Sequence, residues 1–417
     1  MSYWLYSTLY YKIADIRLAE NGKLSYQWAR DHMAILEKIK IKNKKKEPLA
    51  GYRIAFCLHI TKETSVLVMT AKYLGADIAL CSANPLSVQD DIAAFLSLEG
   101  IKTFAWRGET KKEYNECIDS VLKFQPNIIT DDGSDLHIAA NKAKMKIFGG
   151  SEETTSGVKR LKVLERRKIL MYPIIAVNDA YTKHMFDNRY GTGQSTIDGI
   201  LRTTSLFITG KQIIVCGYGW VGKGVAARAR GMGAIVTIAE VDPIKAIEAN
   251  MDGFNVRRLY DISSIGDIFI TCTGQTNIIR EEHIKKMKSG AILANAGHFD
   301  IEIDIKYLYS QDKSPVTVRA NLDCFNILGK KIYLVSKGRV VNLVGAEGHP
   351  PEVMALSFAN QLLSIIFISK NYHKMENKVY VVPSEIDLSV AKYALAAMNI
   401  RIDKMTDTQR LYLDKWE

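Results

Sequence analysis

The sequence predicts an α/β chain: two Rossmann-like parallel-sheet domains joined by a hinge, plus a small C-terminal segment. Three observations carry this. Apolar β-branched runs alternate with helical spacing from residue 53 to 130, as a parallel sheet requires. A second alternation, from about 194 to 344, contains Gln212-Ile-Ile-Val-Cys-Gly217-Tyr-Gly219-Trp-Val-Gly222-Lys-Gly224, a strand running into G-x-G-x-x-G. The length, 417 residues, exceeds what one ordinary core fills.

In chain order, the aromatic stretch 3–11 lacks a basic region and a cleavage site. It reads as a short extension packing on a neighbouring surface. Residues 24–41 have helical spacing that sets Trp28, Met33, Leu36 and Ile39 on one face. The lysine-rich run 38–46 before Pro48 reads as a solvated helix end and linker. Strands are expected at 53–58, 76–81, 102–106 and 127–130, with helices at 64–74, 88–98 and 113–124. The polar stretch 150–193 reads as a crossover between domains, with a helix starting near Val158. In the second unit, strands at 212–216 and 234–239 flank the glycine loop and a helix over 225–230. Two more apolar runs end at Gly274 and His298, and the unit closes at 339–343. Residues 345–351 lead into a helix over 353–369, and a final segment starts near 380.

Composition narrows the function classes. Hydrophobic residues make up 47% and charged residues 24%, the balance of a soluble globular enzyme. No apolar run reaches membrane-spanning length, so no membrane partner is expected. The net charge of +11 owes much to the 38–46 run, which has no interleaved aromatics, so no nucleic acid is expected either. Six scattered cysteines without C-x-x-C suit buried free thiols in a reducing, cytoplasmic setting, and no metal site is expected.

The glycines carry chemistry. Gly217 permits a tight turn, Gly219 lets backbone approach a pyrophosphate, and Gly222 lets helix pack on strand. Glu240 ends the next strand, where a carboxylate suits the ribose hydroxyls of NAD. The other ionisable residues at strand ends and domain edges are His59, Glu63, Asp132, Glu153, Lys183, Asp187 and His298. Lys183 and Asp187, four apart on a helix, share a face. Beside a nicotinamide such a pair can take the proton of an alcohol while hydride leaves.

A resemblance covers nearly the whole chain, from about Ile13 onwards. Cys57-Leu-His-Ile-Thr-Lys-Glu-Thr64, Asp131-Asp-Gly133, Ser151-Glu-Glu-Thr-Thr155, Phe186-Asp-Asn188, Gly217-Tyr-Gly219, Gly297-His-Phe-Asp300 and Gly348-His-Pro350 resemble the S-adenosyl-L-homocysteine hydrolase family. Asn188-Arg-Tyr-Gly-Thr-Gly-Gln-Ser195 and Ala346-Glu-Gly-His349 look like its archaeal and thermophilic branch. The resemblance implies reversible hydrolysis of S-adenosyl-L-homocysteine to adenosine and L-homocysteine, with one tightly bound NAD in each protomer. It implies 3′-oxidation of the ribose, elimination of homocysteine, water addition and re-reduction.

The same resemblance assigns residues. Lys183 and Asp187 would handle the 3′-hydroxyl, Glu153 the ribose diol and Asp132 the 4′-proton. His59 and His298 would serve the 5′-leaving group and water. Thr61 and Glu63 would face the adenine, with His349 and Met354 beside it. NAD would be held by Thr154, Thr155, Ser156, Asn188, Gly217, Gly219, Trp220, Val221, Gly222, Lys223, Gly224, Glu240, Gln275, Ala296, Gly297, His298 and Asn342. The implied organisation is a substrate domain of 1–181 with 350–380, an NAD domain of 182–349 and an oligomerisation segment of 381–417. A homotetramer or other homo-oligomer is implied. Departures from the family pattern are Thr192, Met185, Lys245 and a tail ending at Trp416-Glu417. The alternatives are an NAD-dependent dehydrogenase of the 2-hydroxy-acid type, an NAD-holding binding protein, and an inosyl-homocysteine hydrolase, in which a 6-oxo acceptor would face Glu63.

Overall fold

A computed structural model describes residues 11–413 together with Lys415 and Trp416. The aromatic extension expected at 3–11 falls almost wholly outside them. Fifteen strands form two sheets among the described residues. The first sheet uses β1 (Arg53–Leu58), β2 (Asp77–Ser82), β3 (Lys102–Phe104), β4 (Ile128–Asp131), β5 (Gly149–Glu152) and β6 (Ile174–Ala176). The second uses β7 (Gln212–Cys216), β8 (Ile235–Ala239), β9 (Asn255–Val256), β10 (Ile268–Thr271) and β11 (Ala291–Asn295). It adds β12 (Val316–Arg319), β13 (Leu322–Ile327) and β14 (Lys330–Val335). The last strand, β15 (Val379–Val381), returns to the first sheet.

The first sheet has the order β15-β6-β5-β4-β1-β2-β3, and all its pairs are parallel. Helices cover both faces, so its central strands bury both alternations and read as continuous apolar runs. Ile54, Ala55, Phe56 and Cys57 on β1 are buried without interruption. The second sheet has the order β12-β13-β14-β11-β10-β7-β8-β9. It is parallel except at its β12-β13-β14 edge, an antiparallel meander.

Several sequence expectations are corrected. The helix expected over 24–41 is two helices, Ala19–His32 and Ala34–Asn43, broken at Met33. Met33, Leu36 and Ile39 are buried but Trp28, on the first helix, is exposed and packs beside His32 of its own helix. The crossover stretch begins with β5, which pairs with both β4 and β6 inside the first sheet. Gly149-Gly-Ser-Glu152 has no apolar periodicity. A Cβ on Gly149 would come within 2.8 Å of Ile368, so the covering helix leaves room only for small residues. The helix expected at 225–230 spans Trp220–Gly231, starting directly at the glycine loop. After the 339–340 stretch the chain forms a short helix, Val341–Val344.

The boundary at 380/381 cuts through β15, which pairs with β6. The helix Ser384–Ala397 then buries Val390 and Ala394 in the first domain's core. Residues 379–397 therefore extend the first domain. One helix, Pro351–Asn371, is apolar and long enough by length and composition to cross a membrane, contrary to the sequence expectation. It is the central buried helix of the first domain, contributing Ala355, Phe358, Leu362 and Ile365 to the core.

The chain passes between domains twice. The first passage runs from β6 through residues 177–192 into the helix Thr192–Thr204. The second runs from Val344 through residues 345–350 into the helix Pro351–Asn371.

Candidate active site

Strand carboxyl ends of both sheets line one cavity of about 590 Å³. β1 delivers His59, β4 Asp132 and β5 Glu153, while β7 delivers Gly219, β10 Thr273 and β11 Ala296 to His298. Such ends are where open parallel sheets gather ligands, because helix N-termini and loops converge there.

Three charged groups form the centre. Lys183 Nζ lies 3.1 Å from Asp187 Oδ2 and 3.5 Å from Glu153 Oε1, and donates to Asn188 Oδ1 at 2.9 Å. All three charged residues are buried. Lys183 and Asp187 flank the start of a π-helix, His184–Gly191. The wider π turn is common at functional sites. Burial alone would lower the Lys183 ammonium's pKa, but Asp187 and Glu153 more than offset it, so it is raised. Burial pushes the Asp187 carboxyl up, yet His349 and Lys183 reverse this and hold it well below the usual carboxylate range. Burial raises Glu153 despite Lys183.

The helix Pro351–Asn371 braces this centre from above. Ser357 donates its hydroxyl to Glu153 Oε1, and Gln361 Nε2 donates to Glu153 Oε2 at 2.5 Å. The sequence reading missed both. The available signal was a polar row, Ser357, Asn360, Gln361 and Ser364, on one face of a largely apolar helix. Asp387, far along the chain, accepts from the backbone N–H groups of Tyr181 (2.7 Å) and Thr182 (2.9 Å), pinning the start of the passage.

A second group surrounds Asp132. His59 Nε2 lies 3.5 Å from Asp132 Oδ2, and His298 Nδ1 lies 3.6 Å from Oδ1. Burial, then Glu153, raises the Asp132 carboxyl well above its ordinary value. Burial pushes His298 down to about 4 and lowers His59 well below the usual imidazole range, with His298 adding to the latter. Both rings are therefore neutral near pH 7. His59 Nδ1 is oriented by Ser87 Oγ at 2.6 Å. Gly133, with φ +106°, is the reason His298 fits: a Cβ there would sit 2.6 Å from His298 Nε2. Ligand-type atoms of His59, Asp132 and His298 fall within 4.8 Å of one another, a proximity their spacing in sequence does not reveal.

Behind this group, the fully buried Glu152 carboxylate accepts from Gly133 N (2.8 Å), Ser134 Oγ (2.7 Å), Thr154 N (2.9 Å) and Thr154 Oγ1 (2.8 Å). It fixes both the Asp132 loop and the start of the helix Thr155–Arg166. Burial pushes it up to about 7.

The remaining expected residues divide. Thr61, Glu63, Thr154, Thr155, Ser156, Asn188, Trp220, Val221, Lys223, Gly297, Asn342, His349 and Met354 line the cavity. His349 joins both domains: Nδ1 contacts Asp187 Oδ1, and Nε2 lies 2.9 Å from Asn342 Nδ2 and 3.2 Å from Thr192 Oγ1. Gly217, Gly222, Gly224, Glu240 and Gln275 do not line it. Gly222 and Gly224 serve packing, since a Cβ would come within 2.0 Å of Gly217 O and 1.8 Å of Arg189 O. Gly217 takes φ +101°, a turn conformation that favours glycine. Glu240 accepts from Tyr218 N (2.6 Å), Val241 N (2.7 Å) and Asp242 N (3.0 Å), bracing the glycine turn. Gln275 is exposed. Residues the sequence reading did not assign to the cavity include Thr64, Lys159, Asn178, Tyr218, Lys245, Glu248 and Phe358.

The second-domain half of the cavity fits a dinucleotide. A Cβ on Gly219 would meet nothing within 4 Å, so the backbone there borders open space. The helix Trp220–Gly231 starts at Gly219 without a side-chain cap, leaving its first N–H groups for an anion. Asn342 Oδ1 is buried with no hydrogen-bond partner among the described residues, an acceptor suited to a carboxamide N–H.

Comparisons with known proteins show which family the sequence matches. A family model described as S-adenosyl-L-homocysteine hydrolase matches residues 10–146, and one described as its NAD binding domain matches residues 188–348. The adenosylhomocysteinase of Sulfurisphaera tokodaii is 55% identical over 97% of this chain and 99% of its own. That of Saccharolobus solfataricus is 52% identical over 98% and 99%. The S-inosyl-L-homocysteine hydrolase of Methanocaldococcus jannaschii is 50% identical over 97% and 99%. Among solved structures, a dipicolinate synthase chain from Bacillus halodurans aligns with TM-score 0.46 at 13% identity, covering 77% of this chain and 99% of that one.

Proposed function

The chain belongs to the S-adenosyl-L-homocysteine hydrolase family, and from that premise we propose how its residues divide the reaction. The enzyme hydrolyses S-adenosyl-L-homocysteine to adenosine and L-homocysteine and uses NAD. When bound, NAD would supply the hydride acceptor for the substrate's C3′ and the hydride for the closing reduction. The helix start at Gly219 to Val221, with Lys223, Thr154 to Ser156, Asn188 and Asn342, would hold it, and Glu240 would act through the glycine turn that it braces.

Lys183, Asp187 and Glu153 handle the 3′-hydroxyl. Together they carry two negative charges and one positive, so the cluster takes up one proton without becoming cationic. The ammonium, held charged at neutral pH, stabilises the oxygen as its proton leaves. The 3′-ketone acidifies C4′–H, and Asp132 accepts that proton. Burial makes its carboxylate a stronger base than an exposed one. His59 and His298, neutral and on either side of Asp132, carry the proton to the departing sulfur. They then order the water that adds at C5′ and pass its proton to the now deprotonated Asp132, which returns it to C4′. Thr61, Glu63, His349 and Met354 hold the base. Glu63 accepts from the 6-amino group, so adenine fits better than a 6-oxo base.

The observation that carries this reading is the Lys183–Asp187–Glu153 cluster, sharing one cavity with the glycine-loop helix start. Lys183→Ala tests it. The variant is expected to fold, to keep NAD, and to lose roughly 10²–10⁴ in the oxidation step, read as NADH absorbance after mixing with adenosine. Wild-type turnover in that variant sinks the assignment. NADH accumulating in step with homocysteine during steady turnover of the parent sinks the cycle itself.

We also assign the enzyme to the cytoplasm as a homo-oligomer, such as a homotetramer. Six free thiols suit a reducing compartment. Ile244, Ile247 and Met251 are uncovered on the helix Pro243–Met251, and so are Leu411, Tyr412 and Leu413 in the tail. Apolar side chains grouped this way mark association surfaces.

A further inference from the structure

Lys62 stands between two residues that line the cavity, Thr61 and Glu63, but does not line it itself. Its stem is largely buried, and its Nζ is held between two carboxylates. Glu63 Oε1 lies 3.2 Å away and Glu347 Oε2 3.0 Å away. Glu347 belongs to the second passage between domains, two residues before His349, and its Oε1 lies 3.3 Å from Arg202 Nη1. Glu63 itself is almost fully buried. Burial pushes its carboxyl up, and Lys62 is the largest opposing influence.

The charge state of Glu63 decides which bases it can pair with. An ionised carboxylate is acceptor-only. It matches the 6-amino group of adenine and opposes the 6-oxo group of hypoxanthine. A neutral carboxyl has one O–H donor and one acceptor. It can pair with N1 and the 6-amino group of adenine, or with the 6-oxo group and N1–H of hypoxanthine. We propose that Lys62 sets the base preference of this site, by keeping the Glu63 carboxylate ionised and so unable to donate to a 6-oxo purine. Lys62 acts through Glu63 and is a positioning residue, not one that touches the base. The inference rests on the reading of Glu63 as the residue facing the six-position.

The test is the ratio of kcat/KM for S-adenosyl- over S-inosyl-L-homocysteine in four enzymes: parent, Lys62→Met, Lys62→Arg and Glu63→Gln. The parent is expected to favour the adenosyl compound. Lys62→Met is expected to lower the ratio by about tenfold or more, mainly through a gain on the inosyl compound, because a buried polar mismatch has been relieved. Lys62→Arg, which keeps the charge, is expected to hold the ratio near the parent's. A loss of folded enzyme scales both substrates alike and cancels in the ratio. A Lys62→Met ratio equal to the parent's overturns the proposal. So does a selective loss on the inosyl compound, which would put the ammonium on the base itself. Glu63→Gln separates the two layers. If it leaves the ratio unchanged, the reading of Glu63 fails. If it moves the ratio while Lys62→Met does not, only the role of Lys62 fails.

Discussion

At the scale of single residues, burial sets protonation around Asp132, whereas neighbouring charges override it at Lys183 and Asp187. His59 and His298 sit on either side of Asp132, and burial is the largest cause of the shift in all three. For an imidazole the sign is plain: burial disfavours the cation, so the neutral form persists to lower pH. An ordinary histidine would protonate near about 6.5. His298 does so at about 4. The pH profile of kcat/KM, which reports the free enzyme, is therefore expected to have no acid limb near 6.5. An acid limb centred there, abolished by His298→Asn, contradicts this environment. The same burial bears on folding. His137, outside the cavity, is also pushed down to about 4 by burial. The unfolded chain takes up that proton first, so its contribution is whole above about 6.5 and is lost as pH falls toward 4.

At the scale of elements, the π-helix His184–Gly191 and the helix Trp220–Gly231 cross at Gly224. A Cβ at Gly224 would overlap Arg189 O, two residues from Asp187. Gly224→Ala is expected to cost about 1–3 kcal/mol by overpacking and to lower kcat by shifting Asp187. Thermal melting and turnover check it, and a variant matching the parent in both removes the steric argument. What the sequence disclosed follows the same physics. Strands that bury apolar side chains on both faces were legible almost to the residue, as β1 and β7 are. β5 was not, because its Gly149-Gly-Ser-Glu run is shaped by the helix above it and by the loops it supports. β15 and the β12-β13-β14 meander were missed because short or half-exposed strands carry weak patterns. Most cavity residues were legible through contiguous motifs. The supports behind the cavity, Ser357, Gln361 and Asp387, were not, since their partners lie about 200 residues away in sequence.

At the scale of the molecule, the uncovered Ile244, Ile247 and Met251 predict assembly. Ile244→Glu with Met251→Glu is expected to reduce the mass seen by light scattering relative to the parent. A parent that runs as a single chain ends that reading. The two passages between domains have a further consequence. Lys183, Asp187 and His349 all lie on them, whereas His298 and Gly219 lie out on the second domain. Any rotation of one domain against the other turns about those passages, and points near an axis travel least. Lys183 and Asp187 would thus stay together in any such rotation, while His298, 3.6 Å from Asp132 here, would be carried away from it. Oxidation at C3′, which calls on Glu153 from the first domain and the helix start at Gly219 from the second, would need the two domains together just as the His59–Asp132–His298 group does.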